Sequence, residues 1–310
     1  MPAAESMLPC STMRVLVTGG TGFLGRALLP PLQAGGYSVR VLARTPSGQQ
    51  PRVEYRTGSV LTPESLADAV ADCDAVIHLV GIISEYREQT FERVHVEGTR
   101  NLLTAARAAG ITRWIQVSAL GARPDAPARY HRTKWAAEEL VRAAGLQWTV
   151  LRPSLVYGAG DGFTNLFARM SRWSPFLPLL GGGKTRVQPI AAADVAAAIV
   201  RCVDRPVAHQ RTFDLCGPAA LTWREVLAEI LRAVDRRRWL VPIPWPLARL
   251  QARFLEMVYP RFCHQAPPLN GDQVLMLQED NVGDPSLARR ELDVDPRPFR
   301  LSAGDFRHSG

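Results

Sequence analysis

Apolar residues along this chain fall into short, β-branched blocks separated by stretches with helical spacing. The first block, Arg14-Val-Leu-Val-Thr18, reads as a buried strand, and five more follow at 39–43, 53–56, 75–79, 114–118 and 148–151. The intervening stretches read as helices. One starts after Gly22 and meets Pro30-Pro31, which predicts a kink or a short first helix. A second spans 63–71, with Thr62 as N-cap and Pro63 in its first turn. A long amphipathic third covers 91–109 and stops at Gly110, and a fourth runs from about Tyr130 to Ala144 before Gly145.

Strand and helix alternating in this way specify an α/β fold, a Rossmann-like, doubly wound parallel sheet with crossover helices on both faces. The rhythm breaks after Pro153. The stretch 158–183 is rich in Gly, Pro and aromatic residues, followed by helices at 191–203 and 222–232 and a strand near 212–215. The expected organisation is a flexible tail at 1–12, a nucleotide-binding domain at 13–157, and a smaller irregular substrate or partner domain at 158–310. Some segments of the second part are expected to return to the first sheet.

Composition narrows the class of partner. The chain has 310 residues, 46% of them hydrophobic, enough for a substantial core. Its net charge of +8 favours acidic partners such as phosphate-bearing cofactors, anionic membrane or nucleic acid. No nucleic-acid-binding module accompanies that charge, so nucleic acid is not expected. The five cysteines are scattered without a Cys-x-x-Cys pair, which suggests reduced thiols in a cytoplasmic protein and no metal site. No stretch approaches the roughly 18 apolar residues that a membrane span needs.

Chemistry concentrates in the first half. Gly19-Gly-Thr-Gly22-Phe-Leu-Gly25 follows the first strand and opens the first helix, where glycines let the backbone approach a pyrophosphate met by the helix N-terminus. Tyr130 and Lys134 lie four apart in Tyr-His-Arg-Thr-Lys, on one helix face. Lys134 is one of only two lysines in a chain whose other 35 basic residues are arginine. A compact ammonium beside a phenol is expected to lower the phenol's pKa and make it a usable acid/base.

The spacing Gly19-x-x-Gly22-x-x-Gly25 resembles that of the short-chain dehydrogenases/reductases. So do His78-Leu-Val-Gly81, the helix Val96-Glu-Gly-Thr-Arg-Asn-Leu-Leu103, Ser118 at the end of the fifth strand, Tyr130-x-x-x-Lys134, and Arg152-Pro-Ser-Leu-Val-Tyr-Gly158. Within that superfamily the chain resembles an atypical branch that includes the NAD(P)H-binding accessory subunit of respiratory complex I and its bacterial relatives. Val187-Gln-Pro-Ile190, Asp194-Val-Ala196, Leu269-Asn-Gly-Asp-Gln-Val274 and Asp280-Asn-Val282 carry that likeness, which covers roughly residues 13 to 300.

The resemblance implies Ser118, Tyr130 and Lys134 as catalytic residues. It implies a cofactor cradle of Thr18, Gly19, Gly22, Phe23, Leu24, Gly25, Ser59, Val60, Leu79, Val80, Gly81, Lys134, Pro153 and Val156. The second strand ends Val41-Leu-Ala-Arg44 without the acid that binds a ribose 2′-hydroxyl, so Arg44, with Arg40, predicts NADP(H) over NAD(H). Three features depart from the pattern. Ser59-Val60 replaces an adenine-binding Asp, and His95 stands where many relatives carry Asn. The twelve residues from Ser118 to Tyr130 are short for sugar-nucleotide epimerases, which ranks that chemistry low.

Two other segments need an account. Gly183-Lys184-Thr185 imitates the end of a P-loop but lacks the glycine five residues before Gly183 and the helix after it. The stretch 232–262 holds seven arginines against Asp235 and Glu256, with Leu247, Leu250, Phe254 and Val258 on one helix face. That face either packs on the second domain or makes a peripheral contact with a membrane surface or a respiratory complex. Two functions are therefore expected: an oxidoreductase acting on a small carbonyl or quinone-like substrate, or a non-catalytic NADP(H)-binding subunit of a membrane-associated complex. A cytoplasmic location follows, with peripheral attachment at the inner membrane face in the second case.

Overall fold

The computed structural model describes residues 13–45 and 50–306; the tail expected at 1–12 lies outside them. Its centre is a seven-stranded, wholly parallel sheet. Six strands match the predicted blocks: β1 (Arg14–Thr18), β2 (Ser38–Ala43), β3 (Val53–Thr57), β4 (Ala75–His78), β5 (Arg113–Val117) and β6 (Gln147–Pro153). From one edge the order is β3-β2-β1-β4-β5-β6, and a strand from the second half, Arg211–Leu215, closes the far edge beside β6. The order reverses between β1 and β4, so a crevice opens at the carboxyl ends of these two strands.

The helices are α1 (Phe23–Ala34), α2 (Leu66–Val70), α3 (Gly98–Ala108), α4 (Arg129–Ala143), α5 (Gly162–Trp173), α6 (Ala192–Asp204), α7 (Trp223–Ala233), α8 (Trp245–Phe262), α9 (Gly271–Leu277) and α10 (Ser286–Leu292). They cover both faces. One core layer joins Leu28, Leu29 and Leu32 of α1 with Val195 and Ile199 of α6; the other joins Leu66, Leu102, Trp114 and Val141.

Two local expectations are corrected. α1 continues to Ala34 through both prolines. Pro30 is exposed, as is Arg26, whose carbonyl loses its helical donor there. Leu28, Leu29 and Leu32 are almost wholly buried. At about 1.5–3 kcal/mol each, they offset the roughly 3 kcal/mol that each of the two interior prolines costs. The helix expected at 63–71 splits into a 3₁₀ turn, Pro63–Ser65, and the short α2, and Thr62 makes no side-chain cap.

The rest of the second half forms two-stranded ribbons and helices around a third core of Tyr157, Leu179, Val226 and Ile230. The capping box of Thr222 and Glu225 starts α7. A 3₁₀ turn, Gly181–Gly183, leads into the P-loop lookalike, and a short strand, Arg186–Val187, follows it in place of a helix. No helix among the described residues is long and apolar enough to cross a membrane, and no group of His, Cys, Asp or Glu there could hold a metal ion.

Candidate functional site

Each glycine of the first turn has a separate reason. Gly19 has φ +77°, and a Cβ there would press on the Leu79–Val80 backbone at 3.2 Å. Gly25 lies so close to the Gly20 carbonyl that a Cβ would stand 2.4 Å away, so α1 packs directly on the turn. Gly22 is the N-cap of α1 and offers no side-chain cap. The first-turn N–H groups of a 12-residue helix are thus left facing the crevice mouth, the chemistry a pyrophosphate requires. Phe23 turns its ring towards Gly158, and Leu24 packs on the core.

Behind this turn lies a buried histidine relay. Thr99 Oγ1 donates to the His95 carbonyl at 2.6 Å, so it accepts from His78 Nε2 at 3.2 Å. His78 Nδ1 then accepts from Thr18 Oγ1 at 2.6 Å. Burial, with the Lys134 charge, pushes His78 down to about 3, so it is a neutral tie between β1, β4 and α3. Thr18 therefore spends its hydroxyl on His78 and its carbonyl on Leu79 N–H.

Lys134 reaches the end of β5 beside Ser118, while Tyr130 stands one turn earlier on α4 against His95. The Ser118 N–H joins the sheet at Leu151 O, which fixes its backbone at the carboxyl end of β5. Ser118 Oγ is buried and has no hydrogen-bond partner among the described residues. Lys134 Nζ donates to Val117 O at 3.3 Å and stands 2.8 Å from where a Gly81 Cβ would be. Burial lowers Lys134 to about 8 against the raising effect of Glu138, one turn further along α4.

Tyr130 departs from expectation. Its ring meets Phe91, His95 and His131 edge-on at 5.3–5.9 Å. Burial pushes its phenol up to about 12, and Lys134 supplies no lowering. The ammonium is engaged at Val117 O, and desolvation alone sets the phenol.

His95 sits in a π-helical turn, Glu92–Glu97, that precedes α3. Thr133 Oγ1 donates to the carbonyls of Arg129 or Tyr130 at 3.0 Å, so His95 Nδ1–H donates to Thr133 at 2.9 Å. Nε2 stands 3.1 Å from both the N–H and the carbonyl of Ile82, and with the proton on Nδ1 it accepts from the N–H. Burial holds His95 down at about 2.

A family model described as NAD(P)H-binding matches residues 19–206, from the glycine turn through α6. The chain belongs to this NAD(P)H-binding family. Its similarity to the mitochondrial NADH dehydrogenase [ubiquinone] 1 alpha subcomplex subunit 9 of Arabidopsis thaliana is 35% identity over 302 residues, covering 92% of this chain and 74% of that protein. Similarity to the ceramide reductase of Caulobacter vibrioides is 34% over 236 residues, 75% of this chain and 74% of that one. Among solved structures, the UDP-glucose 4-epimerase of Thermotoga maritima superposes with a TM-score of 0.74 at 20% identity, covering 95% and 99% of the two chains, a likeness of fold. The expected resemblance to the short-chain dehydrogenase/reductase superfamily and its complex I branch is borne out.

The remaining expected NAD(P)H contacts are distributed unevenly. Leu79, Val80 and Gly81 line the loop above Gly19 and Lys134. Ser59 is tied to Ser65, while Val60 is buried against Gly98 with its carbonyl bonded to Asn101. Pro153 accepts from Leu120 N–H, and Val156 pairs with Ile190. Arg44 is exposed at the end of β2 and makes no ion pair with a described residue. Arg40 does not join it: it is 3% exposed and bonds Glu54 and the carbonyls of Asp68, Ala69 and Ala71. A strand's period of two sends Arg40 into the body of the fold.

Sequence reasoning missed three supporting residues. Glu138 is fully buried and bonds Arg152 twice, at 2.9 and 2.6 Å, anchoring α4 to β6; its place four residues after Lys134 was a usable signal. His131 is buried with Nδ1 unpartnered among the described residues. Asn281 accepts from Ser154 Oγ at 2.6 Å and donates to Leu120 O at 2.9 Å, a long-range link no local pattern encodes.

Proposed function

We propose that the protein is an NADPH-dependent oxidoreductase that reduces a small, apolar carbonyl or quinone-like compound. The observation that carries this reading is the buried Ser118 hydroxyl without a partner, beside Lys134 at the crevice. A desolvated hydroxyl normally finds a partner, so one left free where a reacting oxygen would lie suits substrate binding. NADPH, when bound, supplies the hydride. Tyr130, with its phenol near 12, stays protonated at neutral pH and gives its proton to the carbonyl oxygen, which favours the reductive direction. Lys134 holds its ammonium towards the ribose side of the Gly81 loop, and Arg44 supplies charge for a 2′-phosphate.

The test follows NADPH oxidation over a panel of carbonyl and quinone compounds. Tyr130→Phe is expected to abolish turnover while leaving NADPH binding intact; unchanged turnover would overturn the assignment.

A second reading has a specific observation in its favour. Tyr130 packs against Phe91, His95 and His131 and makes no hydrogen bond to Lys134, an arrangement suited to a cofactor-binding subunit without chemistry. Similarity to the plant complex I subunit supports the same reading. Firmly held NADPH without turnover, together with recovery alongside respiratory-chain proteins, would decide for it. Both readings assume a cytoplasmic protein.

A further inference from the structure

The apolar residues of α8 do not all face the protein. Ala248 and Ala252 are fully buried and form a small core with Val274, Leu180, Ile243, Trp245 and Leu269. On the opposite side Leu247, Leu250, Phe254 and Met257 are exposed by 51%, 65%, 57% and 65%. Their spacing of three, four and three residues keeps them on one stripe. Of the expected face, Leu247, Leu250 and Phe254 are exposed and only Val258 is half-buried, so packing on the second domain is corrected for the first three, and the small alanines take the inward side. A stripe of four large exposed apolar residues on one helix calls for a covering partner.

Charge identifies that partner. Arg261 falls within the stripe by helical phase, and Arg253 flanks it; both are exposed and neither makes an ion pair with a described residue. Over 232–262 seven arginines stand against Asp235 and Glu256. Two copies of this face brought together would oppose Arg253 and Arg261 of each, so self-association is disfavoured. An anionic bilayer surface matches both components, burying the apolar stripe among acyl chains while the guanidinium groups meet headgroup phosphates.

We propose that α8 docks the protein on a bilayer containing anionic lipid. The docking face is linked to the crevice. Asn270, just beyond α8, donates to Ile83 O at 3.2 Å and Ser84 Oγ at 3.0 Å, in the loop that continues from Gly81 and is held by His95 at Ile82. Resting on the oxidoreductase reading, this gives a lipid-borne, apolar carbonyl compound as the substrate class.

The test is flotation of the full chain with phosphatidylcholine vesicles, alone or with roughly one-third phosphatidylglycerol. Binding to the anionic vesicles only is expected. The pairs Leu250→Glu/Phe254→Glu and Arg253→Glu/Arg261→Glu should each weaken it by roughly tenfold or more. All four side chains are exposed, so melting temperature and NADPH binding should be retained. Absence of vesicle binding, equal binding to neutral vesicles, or wild-type binding by both paired variants would overturn the proposal. So would a dimer in sedimentation velocity that the Leu250→Glu/Phe254→Glu pair dissolves. Flotation needs no turnover, so its failure is separable from failure of the oxidoreductase reading, which a soluble carbonyl panel reports.

Discussion

Lys134 Nζ occupies the space that a side chain on Gly81 would need, 2.8 Å from the position of a Cβ there. The lysine is thus confined between this loop and Val117 O. Gly81→Ala is expected to displace the flexible end of Lys134 and leave the fold intact. NADPH affinity, read by fluorescence titration, should fall by roughly tenfold, the scale of one charge-assisted contact. Because burial brings Lys134 to about 8, wild-type affinity should also decline as pH rises through that value and the ammonium is lost. Affinity unchanged by the substitution would remove Lys134 from the cofactor cradle.

Ser118→Ala separates chemistry from stability. Its hydroxyl is buried without a partner, so deletion forfeits no hydrogen bond, and the melting temperature should hold or rise slightly. If the hydroxyl bonds the reacting oxygen, kcat should fall by about 10²-fold with KM little changed. A parallel loss of stability and activity would mean that Ser118 is a packing residue.

What local pattern encodes was legible in the chain. Gly22 and Gly25 announce their turn because their spacing answers contacts within one βα unit, while Gly19 also answers the Leu79–Val80 backbone after β4. Tyr130 and Lys134 share a helix face by spacing alone, and the parallel sheet follows from alternation. What depends on distant packing was not. The phenol of Tyr130 was expected to be lowered by Lys134, yet its ionisation is set by Phe91, His95 and His131 around it. Arg40 reads as a phosphate ligand until its partners on β3 and α2 are seen. The outward stripe of α8 is equally hidden, since periodicity gives a face and not its direction.

Arg44 and Arg40 give opposite predictions despite their proximity in sequence. Arg44→Ala removes an exposed charge at the end of β2, so NADPH affinity should drop by about tenfold with NADH affinity and melting temperature unchanged. Arg40→Ala leaves the carbonyls of Ala69 and Ala71 and the Glu54 carboxylate without their buried partner. It should cost about 3 kcal/mol in denaturant titration and leave the NADPH/NADH ratio alone. A ratio that moves with Arg40 would reverse these roles.

Three buried histidines make the fold sensitive to mild acid. Burial holds His78 at about 3, His95 at about 2 and His131 at about 4, against 6.5 for the free side chain. In each case the folded value lies below the unfolded one, so the unfolded chain takes up protons first as pH falls. Their contribution is fully present above about 6.5 and is lost as pH drops towards the folded values. At pH 5 the three together amount to a loss on the order of 5 kcal/mol. The carboxylates that ion pairs hold low, such as Glu229 and Asp280, titrate below this window and do not mask it. Unfolding free energy should therefore fall steeply between pH 6.5 and 5, and His95→Asn should reduce that slope by about one third whatever its effect at neutral pH. A slope indifferent to His95 would mean that this ring already carries a proton in the folded protein, and that its neutral bond from Ile82 N–H is misassigned.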